Sequence, residues 1–142
     1  SVIFYGLGNF LHHGTADITS KGICRDYGLM TRIHMHRGKD GRFAIGAVEA
    51  IPISDTHYRP RPLKGSEGAK RIHALNYLAS TLDSKDGARG MRFTPQSDGS
   101  GLFCTEAGTS AKGRLGKLCA GYKSAPPVSQ VYAKQIAASC SR

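Results

Sequence analysis

At 142 residues, 39% of them hydrophobic, the chain suits one domain that would bury about two-thirds of its unfolded surface, and composition excludes a disordered polymer. No stretch approaches the roughly 20 apolar residues of a membrane-spanning helix. Twenty Lys/Arg against ten Asp/Glu give a formal charge of +10, unevenly spread: from Ala107 onward there are six Lys/Arg and no acid.

In chain order, Val2 to Tyr5 is β-branched and aromatic and predicts a buried strand. Gly6 and Gly8 then permit a close backbone approach before Asn9 and the pair His12 and His13. Gly14 to Asp26 is polar and reads as a loop. Gly28 to His36 alternates, with Leu29, Thr31, Ile33 and Met35 on one face and Met30, Arg32, His34 and His36 on the other, predicting a half-exposed strand. Asp40-Gly41 is a hairpin turn signal, and Phe43 to Pro52 supplies the returning strand.

Thr56 to Pro62 carries two prolines and is extended or turning. A helix follows, with Ser66 as the expected N-cap and Glu67 in the first turn. Its apolar stripe is expected to be Ile72, Leu75, Leu78 and Leu82, with Ala79 alongside, docking on the hairpin. Asp83 to Gly90 ends it. Met91–Thr94 and Leu102–Thr105 predict a second, shorter hairpin, and Val128 to Ala138 a short terminal helix. The fold class is therefore α+β, with antiparallel hairpins packed against one main helix.

The order of these pieces carries a resemblance. Tyr5-Gly6-Leu7-Gly8-Asn9-Phe10, Gly28-Leu29-Met30-Thr31-Arg32, Asp40-Gly41-Arg42, Val48-Glu49-Ala50-Ile51-Pro52, Arg61-Pro62 and Gly65-Ser66-Glu67 follow one another here. The set resembles the bacterial capsule-synthesis CapA (PGA-cap) family, relatives of the calcineurin-like metallophosphoesterases, over residues 2 to about 83. The resemblance implies the C-terminal part of a metallophosphoesterase-like β-sandwich with flanking helices. It also implies that the metal-ligand motifs lie upstream of residue 1. On that reading this chain holds no metal or cofactor of its own, a divalent metal belongs to the complete protein, and the partner is the upstream portion of the same polypeptide. Gly8-Asn9-Phe10 is not a G-N-H motif, because phenylalanine cannot ligate a metal. Asn9, His12 and His13 would line the cleft of that larger protein; the plainer reading of the two histidines is a polar loop.

Other residues have local explanations. His34 and His36 share a strand face, but Arg32 on that face would repel a cation, so a solvated face is expected. The aspartates fall at turns and helix ends. Gly6-x-Gly8 lacks the rest of a dinucleotide fingerprint. The cysteines Cys24, Cys104, Cys119 and Cys140 have no zinc-site spacing. They allow three disulfide pairings; Cys104–Cys119 with Cys24–Cys140 is favoured, and four reduced, buried thiols is the alternative. Four cysteines, together with the resemblance, point to a periplasmic or extracellular setting.

The expected organisation is a CapA-like body over residues 1–106 and a basic, Gly- and Pro-containing tail over 107–142. Two functions are open. One is a portion of a CapA-like protein of capsule or poly-gamma-glutamate synthesis, inactive alone. The other is a small basic module that binds an anionic polymer without chemistry. The tail attracts polyanions, or else is simply solvated. Nucleic acid is disfavoured, because Tyr122 and Tyr132 alone are not a stacking platform.

Overall fold

The computed structural model describes residues 28–56, 59–85, 87, 89–125 and 133–134. Strand β1 (Gly28–Arg37) and strand β2 (Phe43–Ser54) form an antiparallel hairpin, and a two-residue strand β3 (Arg61–Pro62) returns against the end of β2. Helix α1 (Gly65–Ser80) is followed by β4 (Thr94–Pro95) and β5 (Gly101–Cys104), then by two short helices, α2 (Glu106–Thr109) and α3 (Gly113–Leu118). The sheet order is β1-β2-β5-β4, with β3 also on β2. The protein is α+β, built on an antiparallel sheet. Among the described residues no helix is long and apolar enough to cross a membrane.

The hairpin turn rests on Gly41, whose φ of +79° other residues resist; its N–H donates to Gly38 O at 3.0 Å. β2 then runs through the middle of the sheet, and its alternation feeds two cores. Val48 and Ala50 face α1, where they cluster with Ile72 and Phe93; all four are buried. Ala47, on the opposite face, clusters with Leu102, Cys104 and Cys119, and Leu115, Leu118 and Tyr122 pack over it. The centre of the sheet is thus covered on both sides, by α1 on one and by the α2–α3 segment on the other.

A β-bulge lets the second layer approach. His34 pairs with Ala47 and Met35 with Ile45, so Gly46 is the extra residue. Gly46 O accepts the Thr105 N–H at 3.0 Å, and a Cβ at Gly46 would sit 2.4 Å from Leu115 Cδ2. A side chain there would have to displace the Leu115 methyls from the core.

Helix α1 docks on β2 of the hairpin as its pattern predicts, with Ile72 and Ala79 buried and Leu75 packed against the same core, but it begins differently and leaves Leu78 and Leu82 outside. Lys64, not Ser66, occupies the N-cap, and no side chain caps the helix. The chain enters through Gly65 at φ +51°, whose N–H donates to Asp98 O at 3.2 Å, so a carbonyl from a distant turn takes a cap's place. Its buried residues are Gly68, Ile72, Ala74, Asn76 and Ala79, whereas Leu78 and Leu82 are 43% and 66% exposed. Gly68 sets this rotation: a Cβ there would lie 2.3 Å from Gly99 O, so two backbones meet directly. Close approach of small residues outweighs burial of the larger leucines.

The last described stretch is packed rather than loose. Thr105 caps α2, its hydroxyl accepting the Gly108 N–H at 3.2 Å, and two leucines of the α3 region reach the core. The terminal helix expected over Val128–Ala138 falls almost entirely outside the described residues.

Candidate functional site

Strands β5 and β3 pair with the same side of β2, but at different heights. β5 occupies Ala47 to Ala50 and β3 occupies Ile53 and Ser54. Between them β2 has no strand partner on that side, and a cleft of about 490 Å³ opens beside Ile51. Leu63 N–H closes its floor by donating to Pro52 O at 2.8 Å. Arg32 and Glu49 form one wall, Pro62 to Gly65 a second, and the turn carrying Ser97, Asp98 and Ser100 a third.

Glu49 organises the first wall. Directly opposite it on β1 is Arg32, whose Nη1 donates to Glu49 Oε2 at 3.1 Å. His34 Nε2 lies 2.7 Å from the same oxygen. The carboxylate side chain is only 14% exposed, against 58% for Arg32. A carboxylate that far from water needs such partners, since ions lose more hydration than one contact returns. The third wall is self-contained. Asp98 Oδ1 accepts from the Ser100 hydroxyl at 2.7 Å and from its amide at 2.9 Å, and these bonds hold the Asp98 carboxyl below its ordinary value. Gly99, at φ +94°, makes this tight turn possible.

The cleft therefore presents paired charges, two serines and an apolar floor. It can recognise a polar ligand by hydrogen bonds and charge. Among the described residues, no group of three or more His, Cys, Asp or Glu side chains is gathered as a metal ion would require.

The candidate residues read from sequence fall as follows. Asn9, His12, His13, Cys24 and Cys140 lie outside the described residues. Cys104 and Cys119 form a disulfide, with their Cα atoms 6.0 Å apart. His34 and Arg32 do share a face, as their alternation requires, yet the feature that unites them is Glu49. Glu49 is a lone carboxylate in a strand of buried residues, which is the signal that marks it. Lys64, Asp98 and Ser100 have no such signal, because they look like turn residues.

The chain matches no protein-family model, no curated protein and no solved structure.

Proposed function

We propose that this chain is part of a CapA-like protein of capsule or poly-gamma-glutamate synthesis, related to the metallophosphoesterases, and that it supplies one polar wall of a larger site. The metal-binding motifs of that site lie on sequence preceding this chain, and the chain alone is inactive. One observation carries the reading. Arg32, Glu49, Pro62 and Gly65 come from separate pieces of the motif order, and all four line one cleft. Strand register sets Arg32 against Glu49, and the short β3–α1 connection brings Pro62 and Gly65 to the same cavity, an arrangement that a shared polar wall would need.

The test is to express the chain together with the sequence that naturally precedes it. A G-N-H or G-N-E motif and histidine-containing loops are expected there. Hydrolysis of bis-p-nitrophenyl phosphate, dependent on added Mn²⁺, is expected from the longer protein and not from the 142-residue chain. Arg32→Ala and Glu49→Ala in the longer protein should each lower that rate by about tenfold or more, as loss of an oriented polar contact does. Hydrolysis by the 142-residue chain on its own would sink the proposal.

A further inference from the structure

Most acids of the described residues are neutralised by a neighbouring cation. Among the described residues Asp40, Glu49, Asp55, Glu67 and Asp83 each have a cation within ion-pair distance, namely Arg42, Arg32, Arg61, Lys70 and Arg92. Within residues 112–123 four exposed cations, Lys112, Arg114, Lys117 and Lys123, make no ion pair among the described residues. No acid follows Glu106 in the chain.

The backbone that carries these four charges is anchored to the core. Leu115 and Leu118 of α3 turn toward the Ala47 core, which leaves Arg114 and Lys117, three residues apart, as neighbours on the outer side. The Cys119–Cys104 disulfide staples the segment to β5, and Lys123 O accepts the Thr94 hydroxyl proton at 2.6 Å. A backbone anchored in this way loses less freedom on binding than a flexible tail would.

We propose that Lys112–Lys123 is a docking surface for an acidic polysaccharide, recognised through its carboxylate or sulfate groups. Three observations separate this polyanion from nucleic acid and from a membrane surface. Single-stranded nucleic acid is held by stacking on aromatic faces, and the segment's aromatic, Tyr122, is half-buried against the core. Membrane surfaces take up apolar side chains beside the charges, and here both leucines point inward. A disulfide persists in oxidising surroundings, where charged sugar chains rather than nucleic acids are the abundant polyanions. The proposal stands independently of the CapA-like reading.

The experiment is calorimetric titration of the full oxidised chain with heparin octasaccharide, with oligogalacturonate and with a DNA duplex of equal charge. Substituting Lys112, Arg114, Lys117 and Lys123 by Gln should weaken sugar binding about tenfold or more and flatten its salt dependence. A control with the same loss of charge, Lys39, Arg42, Arg59 and Lys85 to Gln, should change it less than about threefold. If the fourfold variant does not fold, Lys117→Gln with Lys123→Gln should still weaken binding about threefold. Oligogalacturonate bound as well as heparin supports the surface and names carboxylate as sufficient; heparin bound alone supports it and names sulfate. Wild-type affinity in the strip variant, equal loss in the control, failure to bind either sugar, or DNA bound as tightly as heparin would each overturn the proposal.

Discussion

Single residues do disproportionate work at the joint between α1 and the sheet. Asn76 is 2% exposed and meets both backbone groups of Phe93, donating to its carbonyl at 2.7 Å and accepting its N–H at 2.8 Å. Asn76→Ala would strand both groups in the core, and a loss of about 2–4 kcal/mol in urea unfolding is expected. A loss below about 0.5 kcal/mol would mean that water replaces the side chain. Asp83 closes the same joint from outside. The Gly90 amide, and after it the Arg92 guanidinium, hold its carboxyl below the ordinary value of 3.8. Because the folded pKa is depressed, this contribution is present above the unfolded value and disappears as pH falls through the folded one. In thermal melts the lead of the wild type over Asp83→Asn should therefore narrow as the pH falls through and below 3.8. A lead that stays constant as the carboxyl protonates would show that the charge of Asp83 is not what matters.

At the level of elements, periodicity made β1, β2, α1 and the short β4–β5 hairpin legible, because each is a local pattern. What it missed has a physical cause in each case. The stripe of α1 held at Ile72, Leu75 and Ala79 but failed at Leu78 and Leu82, because hydrophobicity favours leucine, whereas the helix's seating is decided by Gly68 meeting Gly99 across a gap too narrow for any side chain. Helices α2 and α3 were obscured by glycine and lysine, which carry little apolar signal; four and six residues long, they depend on tertiary anchoring. The disulfide is part of that anchoring. It joins residues 15 apart in sequence, for which chain-entropy reasoning gives about 3 kcal/mol. The double variant Cys104→Ala/Cys119→Ala should lose stability of that order and show faster amide exchange in residues 106–122 than in β2. Uniform exchange in both regions would place the anchoring elsewhere.

For the molecule as a whole, the sheet is covered over its centre and open over β1, where Leu29, Ile33, Met35 and the neighbouring Phe43 are between 37% and 66% exposed. The alternation of β1 identifies this face correctly but carries no information about which strands a helix will cover. The cleft was legible only in part for a related reason. Its first wall comes from neighbours in a hairpin, while its third wall depends on β5 entering the sheet between β2 and β4, a pairing that no local pattern encodes. That insertion also governs time. β1 and β2 meet across one short turn, but the partners Ala47 and Cys104, or Ala50 and Gly101, are more than fifty residues apart in the chain. Long closures are slow and late, whereas hairpins form within microseconds. Stopped-flow tyrosine fluorescence should then show Gly41→Ala slowing refolding, while Leu102→Ala mainly accelerates unfolding. The reverse partition would mean that β5 joins the nucleus. With the expected one, the cleft is the last thing this chain makes and the first it loses.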